Sequence, residues 1–403
     1  MGWLEHEAPP AACQPTDERH EAPPAPPESE RRTAPIELLW DLVFVFAVTR
    51  VTTLLAADLS WTGFGRSMLV LALVWWAWSA FAWATDAEDP DSTGFRLALM
   101  LGACLIFVAG LALPQAFGSE GLLFAVSYAS VRFMHLGLYV VASRRGKASM
   151  AAIAGFSVTV AIGMVLLLAG AFAHGSLRIA LWVLAAAIDY MGPALLTRDR
   201  LRGLQRVTVV HFAERYGLFI IICLGESIAE IGVGASQHAL SAATVAAAVL
   251  GVLAAGGFWW VYFDRTAGLA ESRLRASEDP VLAASDAYSY LHLLLVAGII
   301  VFAAGIEYTL GHVEQPLPQA PRLALFGGAS AYLAGHVAFR LRITGTLDVA
   351  QLIVAAALLI LFVASGSIAG WAVVGLLACA VWVLVGWELL APALQISPVP
   401  SDP

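Results

Sequence analysis

The chain has 403 residues, of which 60% are hydrophobic and only 13% are charged. This composition excludes an ordinary soluble domain, in which about a quarter of the residues are charged. A lipid bilayer removes the need for a charged surface, so the composition indicates a membrane protein.

The first segment, residues 1–34, differs in composition from the rest of the chain. It contains seven acidic residues, three arginines and seven prolines, and it accounts for half of the net charge of −8. Such a segment has too few large apolar side chains to fold alone, so we predict a disordered, acidic, proline-rich cytoplasmic tail. It lacks the basic start and apolar run of a signal peptide, so the first membrane segment is expected to direct insertion.

Twelve apolar segments follow, each close to the length of about 20 residues that crosses the hydrocarbon core. We therefore predict an all-α membrane protein with about twelve transmembrane helices. The first six-helix half covers residues 35–206, the second covers 207–391, and a short C-terminal tail covers 392–403. The predicted spans are 36–57, 65–84, 96–113, 121–142, 150–173, 177–196, 209–235, 240–263, 286–309, 322–341, 346–364 and 368–391.

Arginine and lysine are distributed unevenly between the predicted loops. The loops after even-numbered spans carry thirteen of them, and the loops after odd-numbered spans carry three. Because positive charge accumulates on the cytoplasmic side, this bias predicts a multi-pass membrane protein with both termini in the cytoplasm. The single lysine, Lys147, among 21 arginines suggests a bacterial source and hence the bacterial inner membrane.

The two predicted halves resemble each other in sequence, and the matches occur in the same order. An even number of spans in each half would make this a parallel 6+6 internal repeat with its axis along the membrane normal. The matching segments are Glu37–Phe44 with Glu214–Ile220, Trp75-Trp76 with Trp259-Trp260, Phe107–Gly110 with Phe302–Gly305, and His135 with His336.

Span 1 contains charged residues, which cost several kcal/mol in hydrocarbon unless they are paired or hydrated. Glu37 and Asp41 are four residues apart and share one helix face near the cytoplasmic end, and Arg50 lies about 13 Å further along the axis. These residues are candidates for a cation or proton site. The alternative is a polar cap combined with a structural ion pair to a neighbouring helix.

Span 7 carries a longer polar stripe of His211, Arg215, Glu226 and Glu230, with Glu214 beside it. Steps of 4, 11 and 4 residues place the four side chains within about 100° of one another around the helix. A helix that faced lipid could not carry this stripe, so we expect it to face the bundle interior or an aqueous cavity. The stripe suits the passage of an ion or proton, and its alternative role is to fix helix packing.

The other polar residues of the spans form no catalytic, metal or cofactor motif. His135, His292 and His336 lack metal or haem spacing, so interhelical hydrogen bonds are the expected role. Asp189 and Glu307 are isolated intramembrane acids. We predict no catalytic residue, no metal site and no cofactor, and the absence of a basic face or phosphate-binding loop argues against nucleic acid as a partner.

Two motifs in this chain resemble the bacterial low temperature requirement protein A (LtrA) family. One is Pro35–Ala47 followed by Trp75-Trp76-Ala77-Trp78, and the other is His211–Phe219 continuing through Leu224–Ser227. The resemblance covers roughly residues 35–391, with Leu39-Trp40 where family members often carry Phe or another aromatic. It implies a polytopic membrane protein linked to growth in the cold and implies no particular reaction. The motif residues carried over are Glu37, Asp41, His211, Glu214, Arg215, Gly225 and Glu226.

Three hypotheses about function follow. The first is a secondary transporter or channel-like permease for an unknown small solute or ion, with Glu37, Asp41 and the span 7 stripe lining a pathway between the halves. The second is an intramembrane lipid-modifying enzyme, with His211 and Glu214 as an acid–base pair. It would need a nucleophile or a metal, and Ser227 is the only candidate nucleophile near the stripe. The third is a non-catalytic membrane scaffold or sensor. Membrane lipid is the expected partner in each case, and the residues do not indicate substrate, coupling or oligomeric state.

Overall fold

The computed structural model describes residues 32–86, 89–196 and 207–394, and within these ranges the protein is all-α. The predicted tails at 1–34 and 392–403 therefore lie mostly outside the described residues. The twelve long helices are α1 (Pro35–Ala57), α2 (Trp61–Asp86), α3 (Thr93–Ala112), α4 (Gly121–Arg144), α5 (Met150–Phe172), α6 (Gly175–Met191), α7 (Val209–Ser236), α8 (Ala242–Val261), α9 (His292–Leu310), α10 (Gln319–Thr344), α11 (Val349–Ala364) and α12 (Gly370–Leu394).

Each of the twelve predicted transmembrane spans overlaps one of these helices, so the all-α fold with twelve helices is confirmed for the described residues. Ten described helices are long and apolar enough to cross a membrane. The other two are α10, which carries Arg322, Arg340 and Arg342, and α11, which has only 16 residues.

Local sequence explains where several helices begin and end. Ser149, Ser241 and Asp348 precede α5, α8 and α11, and each accepts a hydrogen bond from a backbone N–H of the first turn. These side chains cap N–H groups that have no partner within the helix. Gly345 ends α10 with a φ of +71°, a left-handed conformation that a residue without Cβ adopts readily.

The outer surface of the helices is apolar. Leu97, Val165, Ile360 and Val363 are each more than 60% exposed. A water-soluble protein rarely exposes such continuous apolar surface, whereas lipid tails solvate it. The exterior therefore agrees with the composition in indicating a membrane environment.

Within the described ranges three π-helical turns interrupt the helices, at Gly192–Leu196 after α6, Tyr262–Thr266 after α8 and Ser285–Leu291 before α9. A π-helical turn widens the helix by one residue and occurs frequently at functional sites. Two of these turns, those at 192–196 and 285–291, border the cavity described below.

Helices α9 and α10 make the closest backbone contact of the bundle that we describe. A Cβ at Gly298 would lie 2.6 Å from the backbone nitrogen of Tyr332, and a Cβ at Gly335 would lie 3.0 Å from Leu294 Cβ. Small residues at a membrane helix interface allow this approach, and dispersion contacts then hold the pair together.

Candidate functional site

A group of charged side chains from α1, α2 and α7 lies inside the bundle at the end where α1 and α7 begin and α2 ends. We call it the charge cluster; its members are Glu37, Asp41, Asp86, His211 and Arg215. Each is at most 4% exposed. Helix α1 packs against both α2 and α7, which brings together residues as far apart in sequence as Glu37 and His211.

His211 lies between two carboxylates. Its Nε2 is 2.9 Å from Glu37 Oε2, and its Nδ1 is 2.8 Å from Asp86 Oδ1. A ring that donates from both nitrogens is an imidazolium, and charge-assisted hydrogen bonds of this kind are among the strongest in proteins. His211 therefore joins the beginning of α1 to the end of α2.

Arg215 makes the second connection, one turn further along α7. Its NH2 donates to Asp41 Oδ1 at 2.5 Å, and its NH1 donates to Thr85 Oγ1 at 2.6 Å. Trp78 Nε1 also donates to Asp41 Oδ1, at 2.7 Å, and the guanidinium carbon lies 5.9 Å from the Trp78 ring centroid. Arg215 thus joins the same three helices as His211.

Two carboxylates of the charge cluster also accept hydrogen bonds from backbone N–H groups at the starts of two helices. Glu37 accepts a hydrogen bond from Ala34 N at 2.9 Å at the start of α1, and Asp86 accepts one from Thr208 N at 2.9 Å at the start of α7. Negative charge is favourable at a helix N-terminus because of the helix dipole. Opening the charge cluster would therefore also expose unpaired backbone donors.

Glu214 lies outside the charge cluster, although the sequence places it beside the polar stripe. It is half-buried and accepts hydrogen bonds from both Thr33 N, at 2.9 Å, and Thr33 Oγ1, at 3.1 Å. These contacts fasten the residues just before α1 to α7. No hydrogen bond between Glu214 and His211 occurs among the described contacts.

Glu226 and Glu230, the other two residues of the predicted stripe, lie in the C-terminal part of α7, away from the charge cluster. Glu226 and Glu230 of α7 and Arg50 of α1 are half-buried, and so is Glu307 of α9. Glu230 is within electrostatic range of the other three. Helices α1, α7 and α9 pack against one another, so charge lies towards each end of this three-helix seam. Gly225, the remaining motif residue, faces open space.

A hydrogen-bonded group connects α7, the helix that carries His211 and Arg215, with a cavity in the bundle. The Tyr216 hydroxyl is 2.7 Å from Ser79 Oγ and 3.1 Å from Ser289 Oγ, and Trp83 Nε1 donates to Ser289 Oγ at 2.8 Å. Ser79, Trp83 and Ser289 line the cavity, whereas Tyr216 follows Arg215 directly in sequence.

The cavity has a volume of about 60 Å³ and lies among α2, α4, α5, α6 and two π-helical turns. We call it the first-half cavity because most of its lining residues lie in the first half, 35–206; Ser285 and Ser289 come from the second half. This volume exceeds the space that one water molecule requires. Its walls are largely aromatic, from Trp76, Trp83, Tyr139 and Phe156, and its charged residues are Arg132 and Asp189.

Arg132 and Asp189 form an ion pair that leaves hydrogen-bonding capacity unused. Arg132 NH2 donates to Asp189 Oδ1 at 2.7 Å, and both side chains are only 2% exposed. Arg132 Nε, Arg132 NH1 and Asp189 Oδ2 have no partner, and neither has Nδ1 of His135, which lines the same cavity. Buried polar atoms without partners are rare and require an explanation such as a bound ligand or water.

The most informative of these residues carry little signal in the sequence. Asp86 opens an acidic stretch, Asp86–Asp91, that is typical of a loop. Arg132, by contrast, is a single arginine in the middle of an apolar helix, which is itself a signal of a buried ionic group. Asp189 and His135 lie on different helices, and no pattern in the sequence pairs them. Among the described residues no group of three His, Cys, Asp or Glu side chains is placed to hold a metal ion.

The long apolar helices, the apolar exterior and the buried ionic groups together define a multi-pass α-helical membrane protein. The comparison with known families is consistent with this class. Residues 32–386 match the family described as bacterial low temperature requirement A protein (LtrA), and the chain belongs to that family. It is also similar to an uncharacterized protein of Rhizobium meliloti (strain 1021), at 31% identity over 88% of this chain and 89% of the relative.

Proposed function

We propose that this LtrA-family protein is a secondary transporter or channel-like permease of the bacterial inner membrane, with both termini in the cytoplasm. In this proposal the first-half cavity holds a small polar solute, and the charge cluster closes the pathway at one end. The charge cluster connects the ends of α1, α2 and α7, so its dissociation would allow those ends to separate.

The observation that carries the proposal is a cavity that contains the buried Arg132–Asp189 ion pair and adjoins the helix of the charge cluster through the contacts of Ser79 and Ser289 with Tyr216. An ion pair that only holds helices together needs no cavity beside it. Here Ser79 and Ser289 line the first-half cavity, and both lie within hydrogen-bonding distance of Tyr216 on α7, the residue after Arg215. Salt bridges at a helix interface are one of the elements that rearrange when a protein alternates between conformations.

The second group of charges supports a pathway with two ends. Arg50, Glu226, Glu230 and Glu307 lie on α1, α7 and α9, and on α1 and α7 they lie further towards the C-terminal end than the charge cluster does. The eleven residues from Arg215 to Glu226 correspond to about 16 Å along the helix axis. The buried residues of α7 between them include Phe219 and Cys223, which would act as an apolar barrier.

The proposed 6+6 repeat is supported by the packing partners of the helices. Helix α1 packs on α2 and α3 as α7 packs on α8 and α9, and α2 packs on α6 as α8 packs on α12. In the second half, His336 Nδ1 is 2.7 Å from Gln351 Oε1, and Gln351 Nε2 donates to Glu388 at 3.0 Å. In the second half, the Gln351 amide thus bridges His336 and Glu388 in the region that corresponds to the first-half cavity. This difference favours the first half as the place where a ligand binds.

The described contacts do not favour the enzyme hypothesis. Both nitrogens of His211 are engaged by carboxylates, and Ser227 Oγ donates to Cys223 O at 3.0 Å. A scaffold or sensor would tolerate neutral replacement of the charges wherever helix packing survives, so the same variants separate it from a transporter.

The test is flux into proteoliposomes that contain the full-length protein, with radiolabelled glycine, acetate, urea and rubidium as probes, with and without a pH gradient. We expect uptake of at least one probe above that of protein-free liposomes, and its loss in Asp41→Asn and Glu226→Gln. Glu226 is half-buried, so its variant is expected to fold even if Asp41→Asn does not. Glu271→Gln, in an exposed pair with Arg275, is the matched control. No uptake of any probe, or unchanged uptake in both variants, would overturn the proposal.

A further inference from the structure

The first-half cavity carries an inference about ligand chemistry, because its two charged residues present opposite charges side by side. Arg132 offers two donor nitrogens without partners, and Asp189 offers one acceptor oxygen without a partner. The two side chains remain in contact with each other through Arg132 NH2 and Asp189 Oδ1. A ligand that satisfied both would need an acceptor for the guanidinium and a donor for the carboxylate.

Singly charged ligands fit this pair less well. An anion on Arg132 would lie close to the negative charge of Asp189, and a cation on Asp189 would lie close to the positive charge of Arg132. Like charges at such short range cost free energy, especially where little water screens them. An apolar ligand would leave all the buried polar atoms without partners, which costs about 1–3 kcal/mol for each group.

The walls of the cavity add a preference for the cationic end of a ligand. Trp76 and Trp83 present indoles, and Tyr139 and Phe156 present six-membered rings. Ammonium groups are attracted to aromatic faces, and this attraction is largest where water is excluded. The volume of about 60 Å³ restricts the ligand to a few non-hydrogen atoms.

We propose that the first-half cavity binds the zwitterion of a small amino acid of the size of glycine, with its carboxylate on Arg132 and its ammonium group on Asp189 among the aromatic side chains. His135, 3% exposed and without a partner at Nδ1, supplies a further hydrogen bond to the ligand. This inference deepens the proposed transport function and rests on it for its biological meaning, but binding is measured independently of transport.

The experiment is calorimetric titration of the full-length protein in detergent micelles with glycine, acetate, methylamine and acetamide. We expect glycine to bind at least tenfold more tightly than the other three probes. Asp189→Asn, which keeps size and one acceptor oxygen, is expected to weaken glycine binding at least tenfold. Arg96→Gln, at an exposed position that pairs with Asp91, is the control and leaves binding unchanged.

A second variant guards against misfolding of Asp189→Asn. Ala80 lines the cavity and carries no charge, so Ala80→Leu fills the space and leaves the ion pair intact. We expect Ala80→Leu to abolish glycine binding while its thermal unfolding stays cooperative.

Three results would overturn the proposal. They are equal binding of acetamide and glycine, preferential binding of acetate or methylamine, and no binding of any probe by the folded protein. Glycine binding without glycine uptake in proteoliposomes would instead keep the site and overturn transport of this ligand.

Discussion

Asp41 and Arg215 are 174 residues apart in sequence, yet Asp41 Oδ1 and Arg215 NH2 lie 2.5 Å apart in the interior of the bundle. Both side chains are at most 1% exposed. A buried ion pair is costly to assemble and more costly to break, because removal of one partner leaves the other charged and unsolvated.

The first prediction concerns this pair. Asp41→Asn is expected to destabilise the protein by about 3–5 kcal/mol, because Arg215 keeps its charge and loses its closest counter-ion. Thermal unfolding in detergent measures the effect. The double variant Asp41→Leu/Arg215→Met should be more stable than Asp41→Leu alone. Equal stability of these two variants would show that the two charges do not depend on each other.

The second prediction concerns the Trp78 indole, which donates to Asp41. Trp78→Phe keeps an aromatic ring and removes the donor, so we expect the free energy of unfolding to fall by about 1–3 kcal/mol. Trp61→Phe is the matched control, because Trp61 is 78% exposed and is expected to change stability little. Equal unfolding temperatures of the two variants would contradict a role for the Trp78 hydrogen bond.

The third prediction concerns the contact between α9 and α10. Gly298→Ala places a Cβ against the α10 backbone. We expect it to lower the free energy of unfolding by about 1–3 kcal/mol, as overpacking does in other proteins. Gly256→Ala is the control, because a Cβ there meets no atom within 4 Å. In a background with Cys13, Cys104 and Cys379 replaced by alanine, the reaction of a maleimide dye with Cys223, 2% exposed in the folded protein, reports unfolding of both variants. If the two glycine variants unfold together, the close approach has no energetic importance.

The fourth prediction concerns orientation, which rests on the distribution of arginine and lysine alone. In a cysteine-free background, Ser119→Cys in the loop before α4 is expected to react with a membrane-impermeant maleimide in intact cells. Lys147→Cys in the loop after α4 is expected to react only after lysis. The reverse pattern would place both termini outside the cytoplasm.

The helices were predictable from the sequence because bilayer thickness fixes their length and lipid fixes their composition. The last pair, α11 and α12, was identified although only Ser365, Gly366 and Ser367 separate the two predicted spans. The prediction that His211 and Arg215 face the bundle interior agrees with their burial. On the same helix Glu226 and Glu230 are only half-buried, because a helix of 28 residues meets different neighbours along its length.

The charge cluster and the first-half cavity could be predicted from the sequence less completely than the helices. Asp86 reads as one of several loop acids, and only the fold places it against His211. Arg132 and Asp189 are 57 residues apart and lie on helices α4 and α6. Periodicity describes one helix at a time, whereas a cavity is a property of the space between helices, so no pattern within a single span predicts it.

The glycines between α9 and α10 have a mechanical consequence. Two backbones in direct contact cannot tilt or slide past each other without collisions between main-chain atoms, so we expect α9 and α10 to keep a fixed position relative to each other. Helix α1 packs against α9 and carries Glu37 and Asp41. Any alternation in access is therefore expected to occur by movement of the helices of the charge cluster relative to this fixed pair, with α1 as the sliding surface.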